Sequence, residues 1–341
     1  MRKRVTSKDV AERAAVSRTT VSLVLNNVGG IQISPETRQR VLDAANELGY
    51  VPDATAQALV SRRTKAIGLV MTRSPNHIAS DTFLPQILSG MMEVVKDNKL
   101  RLLFEYVEEE HQDYAYLELA RAKHIDGMIL LTPRLDDAGV KRLEEMELPT
   151  VLMGEIQGSS LYSVDVDNQL AARKAVEYLL ELGHSKIACI SHATATYTAA
   201  PDRVNGYKKA LQDAGITPDE DLIRYADFTP ESGYNSMKSL LASPKKFTAV
   251  FIASDNVAIG GKSALLEAGL RIPEDISLVG FDDIPWAQFS NPPLTTVHLQ
   301  AQELARRACL VLMDLLKGRE PETKRQIVDT QLIVRKSCRK L

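Results

Sequence analysis

The sequence has three cysteines and one tryptophan in 341 residues, and it has no long apolar run. Cys189, Cys309 and Cys338 are odd in number and far apart, which excludes a disulfide framework or a cysteine metal cluster. A reducing cytoplasm is the expected compartment. No segment approaches the ~18 uninterrupted apolar residues of a membrane helix, so no membrane partner is expected. The opening MRKRVTSKDV is basic but has no apolar stretch after it, so it does not read as a signal peptide. Catalytic signatures are missing as well: there is no G-x-S-x-G elbow, no H-E-x-x-H and no C-x-x-C pair. Gly260-Gly261-Lys262-Ser263 has the ending of a phosphate-binding loop, but that pattern needs glycine where Asn256 stands, and the segment falls on a predicted helix. His77, His184 and His192 lack partners at metal-ligand spacing. No enzyme activity, cofactor or metal is therefore expected. A cleft with two carboxylates would hydrolyse a glycoside only if one acid had a raised pKa.

The net charge of −2 hides an asymmetry. Residues 1–65 hold 11 Lys and Arg against 6 Asp and Glu, and the remainder holds 31 against 38. A basic N-terminal module on an acidic body suits a small DNA-binding head joined to something else. The head itself reads as short helices. Thr6 caps a first helix, with Asp9 three residues on completing a capping pattern, and Val10 and Ala14 share its inner face. Ser17 caps a second helix, on which Val21, Val24 and Leu25 point inward. Arg18, Thr19 and Ser22 lie off that inner face, near the helix start, where small polar and basic groups suit the DNA major groove. A hairpin that merely packs on its neighbours would fit these residues equally. Ser34 and Pro35 start a third helix, Val41, Ala45 and Leu48 follow at helical spacing, and Gly49 ends it.

Beyond Lys65 the texture becomes α/β. Strands are expected over residues 66–71, 101–107, 127–131, 150–153, 186–190, 222–225, 249–252, 277–281 and 327–334. Helices are expected over 83–98, 113–123, 136–146, 168–182, 203–214, 231–242, 257–268 and 300–317. The alternation implies doubly wound parallel sheets in two similar lobes, with chain crossings near 164–168 and 281–296. Ligands of open α/β sheets sit beyond the C-terminal ends of strands. That rule selects Thr72, Arg73, Thr132, Arg134, Gly154, Glu155, Ser191, His192, Phe228, Ser254, Asp255, Asp282 and Asp283.

In order and at matching spacing, D-V-A, V-S-x-x-T-V-S, V-L-N, S-P-E-T-R, V-L-x-A-A, E-L-G-Y and a P-x-A-x-A segment resemble the lactose repressor family of bacterial transcription regulators, and the resemblance runs to the chain end. It implies a helix-turn-helix DNA-binding domain (residues 1–50), a hinge helix and linker (51–65), and an effector-binding and dimerisation body (66–341) similar to periplasmic sugar-binding proteins. Residues 53–60 would be the hinge. About eight residues are too few for a stable isolated helix, so it would order where two copies meet on DNA. On this resemblance Thr6, Ser17, Thr20 and Asn26 contact phosphates, Arg18 to Ser22 enter the major groove, and Ala56, Gln57 and Leu59 reach the DNA from the hinge. Leu59 would wedge into the minor groove.

The same resemblance assigns effector contacts. Arg203 in R-x-x-G-Y would fork onto ligand oxygens. Asp255 in A-S-D-N and Asp282 in G-F-D-D would accept ligand hydroxyl or ring N–H groups. Phe228 would stack on a flat ring or cover the apolar side of a sugar. Phe83 would form an aromatic wall. Trp286, just past Asp282 at a variable position, would lie near the cleft, and the strand-end rule adds Arg134 to the candidate contacts. Three departures stand out: Ala15 replaces a usual glycine, and Leu23 and Gln57 replace usual arginines, so this head is expected to read a different operator sequence. The expectation is a homodimeric repressor of double-stranded operator DNA, controlled by a small molecule, a sugar in preference to a purine. A dimer rather than a tetramer is expected because only seven residues, four of them basic, follow the last predicted strand. A solute-binding protein, or a sugar- or nucleoside-processing enzyme, would share the two-lobe body. The helix-turn-helix and the missing catalytic motifs count against them.

Overall fold

The computed structural model describes residues 5–26, 32–52, 63–73, 75–107, 112–146 and 148–341. The chain divides into two compact units, residues 1–65 and 66–341. The expected hinge, including Ala56, Gln57 and Leu59, lies outside the described residues.

In the first unit α1 spans Ser7–Ala14, α2 Arg18–Leu25 and α3 Pro35–Glu47. The Thr6 hydroxyl accepts the Asp9 N–H while the Asp9 carboxylate accepts the Thr6 N–H, which closes the expected capping box. Ser17 and Ser34 cap α2 and α3, their hydroxyls accepting from Thr20 N and Thr37 N. Val10, Ala14, Val21, Val24, Val41 and Ala45 meet in a single small core. The α1–α2 turn is made by Ala15 in the left-handed region (φ 55, ψ 47).

In the second unit β1 (Ala66–Met71), β2 (Arg101–Tyr106), β3 (Gly127–Leu131), β4 (Thr150–Met153), β5 (Tyr162–Val166) and β11 (Arg325–Val328) form a parallel sheet in the order β11-β5-β4-β3-β1-β2. Strand period 2 sets the layers. Ile67, Leu69 and Met71 of β1 enter the main core with Ile87 and Met91 of α5 (Leu84–Asp97) and with α12 (Ala301–Leu316). Ala66 and Val70 face the opposite layer, with Tyr116 of α6 (Gln112–Arg121) and Val140 and Leu143 of α7 (Ala138–Glu144). A short helix α4 (Pro75–Ser80), unforeseen in the sequence, precedes α5.

The second sheet is also parallel, in the order β7-β6-β8-β9, from β6 (Ile187–Ser191), β7 (Ile223–Tyr225), β8 (Ala249–Ile252) and β9 (Ser277–Val279). Helices α8 (Asn168–Glu181) and α9 (Ala199–Asp213) pack together, as do α10 (Pro230–Ala242) and α11 (Asp255–Glu267). Gly260 to Ser263 lie within α11, so they form no phosphate loop. Arg203 sits one turn inside α9, because that helix starts four residues before the expected point.

The expected single strand over 327–334 is two. β11 ends at Val328 in the first sheet, and β12 (Gln331–Ile333) pairs antiparallel with β10 (Thr296–His298), a strand not read from the sequence. The chain thus returns to the first lobe between β10 and α12, beyond residues 281–296, and crosses a third time between β11 and β12. Arg335, Ser337 and Arg339 then tie the last segment to the second lobe through Leu294 O, Leu278 O and Ser277 Oγ.

Candidate functional site

The head presents α2 with Val21 and Val24 buried and Arg18 and Thr19 exposed. Among the described residues no ion pair holds Arg18, which is exposed at the start of α2. Thr6 and Ser17 are engaged in capping, with Ser17 Oγ also 2.9 Å from Thr20 Oγ1, while Asn26 Nδ2 donates to Ser22 Oγ at 3.1 Å. These bonds preset the side chains that flank the helix start.

In the body a cleft opens between the lobes at the C-terminal ends of the strands. The empty space in it, counted to its open mouth, is about 810 Å³. Of the expected ligand residues, Phe83, Arg203, Phe228 and Asp282 line it. The R-x-x-G-Y motif explains how Arg203 gets there. A Cβ on Gly206 would stand 2.2 Å from Gln169 O, so its absence lets α9 lie against the first turn of α8. Tyr207 pins the helix to the sheet by donating to Ile187 O at 2.7 Å. Arg203 then donates Nε to Asn168 Oδ1 (2.9 Å) and Nη1 to Ala253 O (2.7 Å), stacks 3.9 Å over Phe281, and lies 3.5 Å from Asp282 Oδ1.

Burial raises Asp282 to about 6, with Arg203 opposing the rise. Burial also raises Asp165, another cleft residue, to about 6. Thr132, Phe228 and Asp282 all have positive φ (52, 59 and 115). For non-glycine residues such conformations are strained, and strain of this kind gathers at functional sites.

Phe228 does not offer an open face as expected. The Arg73 guanidinium lies 3.7 Å over its ring, Tyr197 meets it edge-on at 4.8 Å, and His192 packs at 5.5 Å. Arg73 also donates to Asp81 Oδ2 at 2.7 Å, and Asp81 caps α5 through Phe83 N and Leu84 N.

Three expected contacts are off the cavity wall. Asp255 is fully buried. Its Oδ1 accepts from Phe281 N and Thr296 Oγ1 and its Oδ2 from Ile284 N, so its lone pairs hold the G-F-D-D turn instead of a ligand. Gly280 of that turn is required by the contact, since a Cβ there would stand 2.1 Å from Asp255 Oδ1. Trp286 is 65% exposed and lines a separate apolar cavity in the second lobe with Phe289 and Ile259. Arg134 turns to Asp136, which it grips with two 2.9 Å bonds, and packs 5.3 Å from the Tyr197 ring. Conversely, Asn168, Tyr197 and Asn256 line the cleft without having been singled out. Asn256 donates to Phe228 O at 2.8 Å and so holds the backbone where Phe228 has positive φ. Arg73, Thr132 and His192 do line it, and the strand-end rule had marked all three.

The lobes touch beside the cleft. Tyr197 donates to Thr72 O (3.0 Å), Leu135 N to Thr196 O (2.7 Å) and Thr198 N to Pro133 O (3.3 Å), and His77 Nε2 lies 2.9 Å from Asp227 Oδ2.

A capped helix-turn-helix head and a two-lobed body with a polar interlobe cleft together define a DNA-binding protein that responds to a small molecule. Residues 6–53 match the family described as bacterial regulatory proteins, lacI family, and residues 176–338 match a periplasmic binding protein-like domain. The transcriptional repressor CytR of Escherichia coli (strain K12) is 37% identical over 341 residues, covering 98% of this chain and 97% of that protein. A transcriptional regulator CelR–cellobiose complex is 33% identical with TM-score 0.75, over 98% of this chain and 100% of that one. The lac repressor dimer bound to operator and the anti-inducer ONPF is 30% identical with TM-score 0.86, over 98% and 99%. The chain belongs to the lacI family. It is a DNA-binding transcriptional regulator under effector control.

Proposed function

We propose that this protein is a cytoplasmic homodimeric repressor whose affinity for double-stranded operator DNA is set by a saccharide. The observation that carries the reading is the buried Arg203–Asp282 pair at the base of a cleft whose aromatic ring, Phe228, is already covered by Arg73. A flat heterocycle finds that face taken, whereas ring hydroxyls find a donor and an acceptor side by side. The likeness to a CelR–cellobiose complex and to an operator-bound lac repressor dimer supports both the ligand class and the assembly. Phe83, Arg203, Phe228 and Asp282 are the effector contacts on this reading. Thr6, Ser17, Thr20 and Asn26 fix register on phosphates, and Arg18, Thr19 and Ser22 meet base edges.

Anisotropy of a labelled operator, titrated with the full-length protein with and without a panel of saccharides, tests the reading. One saccharide is expected to change operator affinity, and Asp282→Ala and Arg203→Ala are expected to abolish that change. A response that survives in both variants would contradict the site. Operator affinity should also fall steeply with salt, because phosphate contacts release counterions. Arg18→Ala should weaken discrimination between operator and random DNA by about 1–3 kcal/mol if it reads a base edge. Unchanged discrimination would remove Arg18 from the reading helix.

A further inference from the structure

Leu23 is an apolar side chain on the outward face of α2. Successive residues of a helix turn by about 100°. Val21, Val24 and Leu25 therefore share one side, and Thr19 and Leu23, one turn apart, point most nearly the opposite way. The packing follows that division. Val21 and Val24 are buried in the head core and Leu25 packs against it, while Leu23 is half-buried and lies outside that core. Its neighbours at the helix start, Arg18 and Thr19, are exposed. The described core of the head thus gives no reason for leucine at this position.

DNA does. α2 is the second helix of a helix-turn-helix that matches the lacI family, the helix that such motifs lay in the major groove. Guanine, adenine and cytosine present only donors and acceptors there, whereas thymine also presents its C5 methyl group. A leucine laid over a polar base edge takes away its water and returns no hydrogen bond, which costs free energy. Laid over a methyl group, it removes apolar surface of both partners from water. Arginine has the opposite preference, since its fork of donors fits guanine O6 and N7. At 1.5 Å per residue, Leu23 stands about 7.5 Å along the helix from Arg18, roughly two base-pair steps.

We propose that Leu23 is a specificity-determining residue of the DNA-reading helix, and that it reads the methyl group of a thymine about two base pairs from the guanine contacted by Arg18. This rests on the reading that places α2 in the major groove, and it adds the base chemistry of one position.

Selection of bound duplexes from a random-sequence pool by the full-length protein supplies the half-site. Each half-site is expected to hold a guanine with a thymine about two base pairs away. The deciding probe is the selected duplex with that thymine replaced by deoxyuridine, which deletes the methyl group and leaves every hydrogen bond in place. It uses the unaltered protein, so no folding defect can enter. Affinity is expected to fall about fourfold for each half-site changed, the worth of one buried methyl group. The same replacement at thymines beyond the reach of α2 should change affinity less than twofold. With cytosine at the position, 5-methylcytosine should recover about the same factor. Leu23→Ala should bind the thymine and uracil duplexes alike and still select the guanine. A selected half-site without that thymine, uracil bound as tightly as thymine, or a Leu23→Ala variant that keeps the full preference would each overturn the assignment and leave α2 in the groove. A pool from which the protein enriches no sequence would overturn the placement of α2 as well.

Discussion

Ala15 closes the turn between α1 and α2 with φ 55, a conformation in which its Cβ crowds the backbone. An L-residue there costs about 1–2 kcal/mol, and glycine gives part of that back as unfolded-state entropy. Ala15→Gly should therefore stabilise the head by roughly 1 kcal/mol. Slower amide exchange in α1 and α2 would show it, and faster exchange would contradict it. Asp165 makes a different residue-level statement. Its carboxyl is raised from 3.8 to about 6 by burial, although Val166 N and the Asn168 amide donate to it. The folded state thus holds that proton more tightly than the unfolded chain. The ionised carboxylate costs stability above pH 6, and the cost is relieved as pH falls from about 6 towards 4. Asp165→Asn removes this dependence. The melting temperature of the variant minus that of the wild type should be most positive at pH 7 and should shrink towards pH 5. A difference that does not vary with pH would show that Asp165 is not perturbed.

At the scale of elements, the paired helices carry the site. α9 brings Arg203 to the cleft only because Gly206 lets it touch α8, where the nearest backbone oxygen leaves 2.2 Å for a Cβ. Gly206→Ala must push α9 away or break the Gln169 turn. Overpacking of this kind typically costs about 1–3 kcal/mol. The variant should melt earlier and bind effector more weakly, since Arg203 moves with the helix. Normal stability together with normal binding would mean that the helices have slack the packing does not suggest. The glycine and tyrosine of R-x-x-G-Y were visible in the sequence as a motif. Their work, one as a contact and one as a tether to Ile187 O, depends on a neighbouring helix and strand that local periodicity does not identify.

At the scale of the whole body, hydrogen bonds beside the cleft tie the lobes together. Leu135 N and Thr198 N donate across the gap, and Tyr197 donates to Thr72 O. Amides shared between lobes exchange only when the lobes part, so they report opening directly. A ligand that bridges the cleft favours the closed arrangement by its difference in affinity for the two states. A saccharide effector should slow exchange at Leu135 and Thr198 more than at the core strand β8. Equal slowing everywhere would indicate general stabilisation without closure.

Local chemistry was enough to read a large part of this protein from its sequence. Capping boxes, proline at a first helical position, and apolar periods of 3.6 and 2 are interactions between near neighbours. They placed Thr6, Ser17, Ser34 and strands such as β3, β4 and β8 at their observed positions, and the strand-end rule reached Arg73, Thr132 and His192. What the sequence could not decide is where polar side chains turn once distant segments meet. Asp255 and Asp282 both follow strands and read alike. One is spent on the turn at Gly280 and the other opens to the cleft, because the G-F-D-D backbone folds back over Asp255. The predicted last strand failed for the same reason. β11 and β12 are contiguous in sequence, yet one completes the first sheet beside β5 and the other pairs with β10. A hydrogen-bonding edge is satisfied by whichever strand the tertiary fold brings to it, and only the assembled sheets show which one that is.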